Sequence, residues 1–206
     1  MKGKTATLLA VGICLGLLAA TNALAPEDQL EIGKPVPTFK LPGVDGKDCA
    51  LADLLKKNKA AVVVFSCNHC PVAQAYQDRL IEIQKDYKAK GVAVVAICSN
   101  DVEAYPEDSF DNMKKRAKEK KYNFPYLYDE SQEVARAYRA TCTPHVFLLD
   151  AKGVLAYRGA VDDNQDAKKA TKPYLRAALD SVLAGKPVET TTTKQFGCDI
   201  KWKPKK

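Results

Sequence analysis

Two uninterrupted apolar runs, AAVVVF from Ala60 to Phe65 and VAVVAIC from Val92 to Cys98, dominate the patterning of the chain. Their length and β-branched content fit strands buried on both faces. Between them, PVAQAYQDRLIEIQKDY (Pro71 to Tyr87) predicts a helix that runs to about Lys90 and stops at Gly91. Strand, helix, strand implies a right-handed parallel crossover. Upstream, Glu31 to Lys57 opens with prolines and a turn at Val44-Asp45-Gly46-Lys47, predicting a loop and a short hairpin that feed a small helix from about Leu51. Downstream, the pattern predicts a helix over Ser109 to Lys121, a short strand over Phe124 to Asp129, and a short helix over Ser131 to Ala140 with Ser131 as its N-cap. VFLLD (Val146 to Asp150), a turn at Ala151-Lys152-Gly153 and VLAYRG (Val154 to Gly159) read as an antiparallel hairpin. An amphipathic helix over Thr171 to Ala184, stopped by Gly185 and Pro187, closes the chain. No internal repeat and no second domain is visible.

The first residues follow a different pattern. Lys2 and Lys4 precede an uncharged apolar run, Thr5 to Ala20, and small residues continue to Ala25. This is the layout of a signal peptide over residues 1–25, with a retained N-terminal anchor as the alternative. The run is short for a full membrane span. Residues 26–206 then form the single folded domain, and the expected location is exported: periplasmic or otherwise extracytoplasmic, with membrane anchoring left open.

Composition narrows the class. Hydrophobic residues make up 46% and charged residues 28% of the 206 positions, as in a soluble globular domain. The net charge of +7 is spread out apart from KKRAKEKK (Lys114 to Lys121) and the tail KWKPKK, and a solvated helix face and a solubilising tail explain both. Aromatic interleaving of the kind that binds single strands is missing, so nucleic acid is rejected as the main partner. Without Cys14, which lies in the apolar N-terminal run, six cysteines remain: Cys49, Cys67, Cys70, Cys98, Cys142 and Cys198. An oxidising destination permits disulfides among them. Cys98 reads as a buried free cysteine, and Cys49 has no partner that sequence suggests.

Cys67-Asn68-His69-Cys70 sits at the junction of the first buried strand and its helix. A helix N-terminus offers unpaired N–H groups and about half a positive charge, which favours a thiolate there. Two cysteines at that spacing form a redox-active disulfide Cys67–Cys70. Cys67, nearer the helix start, is the expected attacking sulfur: it forms a mixed disulfide, which Cys70 then displaces. His69 has two readings, a thiolate-stabilising group and a surface residue that shapes the turn. Pro71 suits the first helical turn, where a missing N–H costs little.

This CxxC at the first helix, joined to Thr143-Pro144 before a hairpin, resembles the thioredoxin fold. The strings NHCP, SNDVEAYPEDSFDNMKKRA, FPYLYDESQEVARAY, TCTPHVFLLD, YRGAVDDN and GCDIKW resemble an exported bacterial thioredoxin-like family in the peroxiredoxin-like (AhpC/TSA, TlpA-like) branch, over roughly Ile32 to Trp202. The resemblance implies an α/β fold whose central mixed β-sheet is flanked by helices, with an N-terminal hairpin and a peroxiredoxin-type insertion. It implies that Pro144 is cis, that its loop packs on the active-site pair, and that the backbone of Thr143 pairs with an extended substrate strand. The activity implied is thiol-disulfide oxidoreduction on exported protein thiols and disulfides, with no cofactor beyond the cysteine pair; a membrane electron donor, the direction of electron flow and the oligomeric state stay open. Cys142, two residues before Pro144, and Cys198 in GCDIKW are candidates for a second disulfide; Cys142 exchanging with the CxxC is the other option.

Two functional rivals follow from the same residues. Cys67, Cys70 and His145 would make two thiolates and an imidazole, a donor set suited to copper or another soft metal. A thiol peroxidase is the second rival, but Val64 and Ala60 stand where peroxiredoxins place the Thr or Ser and the proline ahead of the peroxidatic cysteine. A non-catalytic interaction module is the remaining alternative, and the intact CxxC argues against it.

Overall fold

The computed structural model describes residues 29–204, and the leader or anchor expected over residues 1–25 lies outside them. Ala60–Phe65 (β3) and Val92–Cys98 (β4) are buried at every position, as continuous apolar runs demand, and pair in parallel. The helix between them, Pro71–Lys88 (α2), ends two residues before the expected limit, and Gly91 takes φ +86° to turn the chain into β4.

The upstream hairpin forms from Lys40–Pro42 (β1) and Asp48–Ala50 (β2), followed by Leu51–Lys57 (α1). After β4 come Phe110–Glu119 (α3), Tyr126–Tyr128 (β5) and Glu133–Tyr138 (α4). The N-cap of α4 is Gln132, in a left-handed conformation, and not Ser131. The reason is Asp129: its fully buried carboxylate accepts from Val134 N and Ala135 N, while Ser131 Oγ accepts from Glu133 N. Cys142–Thr143 (β6) then leads through Pro144 into His145–Asp150 (β7) and Leu155–Gly159 (β8), which form the expected antiparallel hairpin. Tyr174–Leu183 (α5) starts after Pro173, and Cys198–Asp199 (β9) returns to pair with β6.

The main sheet has the order β5-β4-β3-β7-β8, with β7 antiparallel to β3, so it is mixed. Period-two alternation sorts β3 between two layers. Val62 and Val64 pack with Tyr76, Leu80 and Ile83 of α2, Met113 of α3 and Leu175 and Leu179 of α5. Ala61, Val63 and Phe65 pack with Leu51 of α1, Ala135 and Tyr138 of α4 and Phe39. Helices therefore cover both faces, which is the thioredoxin-like arrangement. Among the described residues, no helix is long and apolar enough to cross a membrane.

Candidate active site

β3 ends at Phe65, and Ser66 N donates to Ile97 O (2.8 Å), so the chain leaves the sheet at the carboxyl ends of its two central strands. The CNHC loop follows, and Cys70 becomes the N-cap of α2, its Sγ accepting from Ala73 N at 3.5 Å. Cys67 and Cys70 both have 0% exposure, so an outside partner reaches either sulfur only when the surrounding loops move.

The loop is held from one side by Asp108, at the end of a short 3-10 turn after β4. Its fully buried carboxylate accepts from Asn68 N (2.6 Å), His69 N (3.1 Å), Asn100 Nδ2 (2.8 Å) and His69 Nδ1 (2.6 Å). His69 also stacks on Tyr105 at 4.7 Å. Asn68 is fixed further by Glu107 O, Gln74 and Tyr126. His69 thus orients the loop through Asp108, and among the described residues no hydrogen bond joins it to a sulfur.

From the other side comes the β6–β7 turn, where the Thr143–Pro144 peptide is cis. Thr143 Oγ1 lies 3.2 Å from Cys67 Sγ, and Thr143 O lies 3.3 Å from Cys70 Sγ. The strand edge of Thr143 is not open to a substrate, as the resemblance implied: β9 occupies it, with Thr143 opposite Cys198 and Cys142 opposite Asp199. Cys198 Sγ comes to 2.6 Å from Cys70 Sγ. Cys142, by contrast, directs its sulfur to Pro144 O at 3.7 Å. The antiparallel register of β6 and β9 therefore sets Cys198 beside Cys70, not against Cys142, its candidate partner.

The charge also differs from expectation. Hydrogen bonding from Cys67, then from Cys198 and from Ala73 N, draws the Cys70 thiol down to about 4. Cys67 is pushed far up, first because it gives its hydrogen to Cys70, then by burial and by the Asp108 carboxylate. These directions favour charge on Cys70, the helix-capping sulfur, over Cys67. Two contacts point the other way, because Cys70 is placed to donate both to Thr143 O and to Cys198 Sγ. Both tendencies are satisfied if a single proton is shared between the two sulfurs.

His145 is not part of this site. It sits opposite Phe65 in β7, packs against Phe147 with the rings tilted and their centroids 4.4 Å apart, and accepts from Thr141 N through Nδ1. Phe65 and Phe147 belong to the layer under α1 and α4, so His145 lies across the sheet from the cysteines. Burial, with Arg158 nearby, holds its imidazole neutral, down to about 4. The Cys67–Cys70–His145 donor set is therefore not assembled. Cys67, His69 and Asp108 do converge within 4.8 Å of one another. Yet Asp108 already accepts four hydrogen bonds, about the full capacity of a carboxylate, and the cysteines' protons are engaged with each other. That arrangement fits a metal poorly.

Sequence reasoning missed Asp108, which its surroundings made one of several loop acids between Asp101 and Asp108. The only signal was its place after Tyr105-Pro106, where proline starts a tight turn back under the β4 end.

A cysteine pair between a helix N-terminus and a cis-proline turn, on a mixed sheet covered on both faces, is an arrangement of the thioredoxin fold. The sequence matches the AhpC/TSA family over residues 32–158, and the chain belongs to that family, a peroxiredoxin-like member of the thioredoxin superfamily. It is 25% identical over 146 residues to the thiol-disulfide oxidoreductase ResA of Bacillus cereus, covering 71% of this chain and 79% of that protein. A conserved protein of Geobacillus kaustophilus has a crystal structure that matches with a TM-score of 0.80 and 47% identity, over 85% of this chain and 94% of that one. The thioredoxin domain of a thiol-disulfide oxidoreductase from Bacteroides vulgatus shares the fold at 20% identity, with a TM-score of 0.54 over 63% of this chain and 89% of that one.

Proposed function

We propose that the protein is a thiol-disulfide oxidoreductase whose Cys67–Cys70 pair exchanges disulfides with exported protein thiols. The observation that carries this reading is the placement of the pair: Cys70 caps α2 and both sulfurs meet the cis Thr143–Pro144 turn, Thr143 Oγ1 lying 3.2 Å from Cys67 Sγ and Thr143 O 3.3 Å from Cys70 Sγ. With the proton on Cys67, the Cys70 thiolate is held by Ala73 N and by the thiols of Cys67 and Cys198. With it on Cys70, the S–H points at Thr143 O and the Thr143 hydroxyl faces a Cys67 thiolate. Passing one proton across the pair thus readies either sulfur without a buried charge ever lacking donors. Cys67 in its charged form attacks a substrate disulfide; Cys70 then displaces the mixed disulfide, releasing the substrate thiolate and leaving Cys67–Cys70 oxidised. The reverse sequence oxidises a substrate dithiol.

The names of the ResA relatives and the family membership support this activity. Lys2, Lys4 and the apolar run that follows support export, and an exported enzyme would meet its substrates and any membrane electron donor outside the cytoplasm. The peroxidase alternative gains little, because Val64 and Ala60 stand where peroxiredoxins place the Thr or Ser and the proline ahead of the peroxidatic cysteine.

Redox titration of the pair against glutathione buffers, read by mass spectrometry, tests the proposal. The donors around the thiolate stabilise the reduced form, so the expected potential lies above the ~−270 mV of thioredoxin. A value near −120 mV would mark an oxidant, and one near −200 mV a reductase fed by a stronger donor. Failure to find any reversible two-electron couple at Cys67–Cys70 overturns the reading.

A further inference from the structure

We propose that Cys198 is a third redox-active cysteine, which exchanges with Cys70 and carries oxidising equivalents between the buried CxxC and the surface. The inference rests on the oxidoreductase reading above and extends it to a residue on the C-terminal strand.

Non-bonded carbon atoms rest at ~3.5–4.0 Å and sulfur is larger, so the 2.6 Å between Cys70 Sγ and Cys198 Sγ lies inside any packing contact. The backbone is built to hold the two together. In β9, Thr143 stands opposite Cys198, and Ile200 N donates to Thr141 O at 3.0 Å. Gly197 approaches so closely that a Cβ there would lie 2.1 Å from Thr143 O, and its φ of +155° is one that other residues rarely adopt. On either side the segment is anchored: Phe196 packs on Tyr76, and Ile200 is buried. Asp101 N and Gln132 Nε2 both donate to Lys201 O, each at 2.8 Å. This strand occupies the edge beside the cis proline where an extended substrate would pair, and it presents its own cysteine there. It has the place and chemistry of a built-in substrate.

The need for such a relay follows from burial. Cys67 and Cys70 are both inaccessible, whereas Cys198 is half-buried. Burial first, then the contact with Cys70, raise the Cys198 thiol to about 11. Once Cys67–Cys70 is oxidised, the charge on Cys70 is gone. Cys198, losing its proton to solvent, attacks Cys70 Sγ; the Cys70–Cys198 bond forms, the Cys67–Cys70 bond breaks, and Cys67 leaves as a thiolate that takes up a proton. No net oxidation occurs, and the disulfide has moved one step outward. An external dithiol attacking the Cys198 sulfur then regenerates the reduced centre and is itself oxidised.

The test is disulfide mapping on the full chain. The protein is reduced, titrated with increasing oxidised glutathione, alkylated in acid and digested with trypsin. The expected result is a peptide holding Cys67 and Cys70 linked to the peptide holding Cys198, with Cys67 alkylated, in equilibrium with the internal Cys67–Cys70 form. Cys198→Ser should abolish the linked species and slow reduction of the oxidised pair by an external dithiol at least tenfold. Cys142→Ser should change neither. Finding only Cys67–Cys70 at every ratio, with Cys198 fully alkylated, overturns the relay while leaving the oxidoreductase reading intact. Absence of both disulfides overturns both.

Discussion

Asp108 accepts four hydrogen bonds from Asn68, His69 and Asn100 and has no exposure to solvent, so the shape of the CNHC loop depends on one carboxylate forty residues away. Replacing it by Asn keeps the volume but turns one acceptor oxygen into a donor, which must face a donor of the loop. A buried polar group left without its partner costs about 1–3 kcal/mol. Asp108→Asn should therefore lower the melting temperature by roughly 2–4 °C for each kcal/mol lost in a domain of this size. The same substitution removes a negative charge that raises Cys67, so the alkylation rate of Cys67 should increase at a given pH. Thermal melts and iodoacetamide kinetics check the two effects; a loop held by other contacts would leave the melting temperature unmoved. At this scale the cysteines were legible, because their spacing and the helix after them sufficed. Asp108 and Thr143 Oγ1 were not, since their roles come from turns that fold back from another strand.

Among the elements, β7 shows how a single register decides function. His145 follows the cis proline and is within a few residues of the site in sequence, yet period-two alternation sends it to the opposite face of the sheet from Cys67 and Cys70. Its imidazole is held neutral by burial, down to about 4, against an ordinary ~6.5 in an unfolded chain. The sign of the consequence is fixed. Above pH 6.5 both states are neutral at this position and the full stability is present. As pH falls from 6.5 toward 4 the unfolded chain takes up a proton that the folded one refuses, so stability declines, and below 4 no further loss arises from His145. The loss sums to roughly 3 kcal/mol at 1.36 kcal/mol per pH unit. Chemical denaturation of wild type and His145→Gln between pH 7 and 4 measures it: the variant should show a flatter decline, and parallel curves would show that His145 does not titrate on unfolding. Most elements were readable from hydrophobic period alone: β3, β4, α2 and the β7–β8 hairpin fall within a residue or two of expectation. What the period does not carry is pairing between distant short segments. β6 and β9 have two residues each, too few to show an alternation, and so the position of Cys198 was hidden.

For the whole molecule, the contact between Cys70 and Cys198 spans 128 positions of the chain and joins the C-terminal strand to the start of α2. A covalent link there would close most of the domain. In the chain-entropy description, closing a loop of that length removes unfolded-state freedom worth about 5 kcal/mol, against about 2 kcal/mol for the short loop of a Cys67–Cys70 bond. The two oxidised forms therefore differ in stability, and the difference reports which one is populated. If exchange moves the disulfide outward, oxidised wild type should resist urea more than the oxidised Cys198→Ser variant by up to about 3 kcal/mol, while the two reduced proteins match within the usual scatter of a surface change. An equal stability of the two oxidised proteins would place the disulfide wholly within the CxxC. The anchors of the tail set the scale of what must move for an outside partner to reach the pair. Ile200 is buried, Lys201 O takes two hydrogen bonds, and Trp202 stacks on the Arg136 guanidinium at 4.4 Å. Displacing all of these costs far more than moving one disulfide by one sulfur. A domain that seals its own cysteine pair beneath its C-terminus works most cheaply by letting that C-terminus carry the exchange.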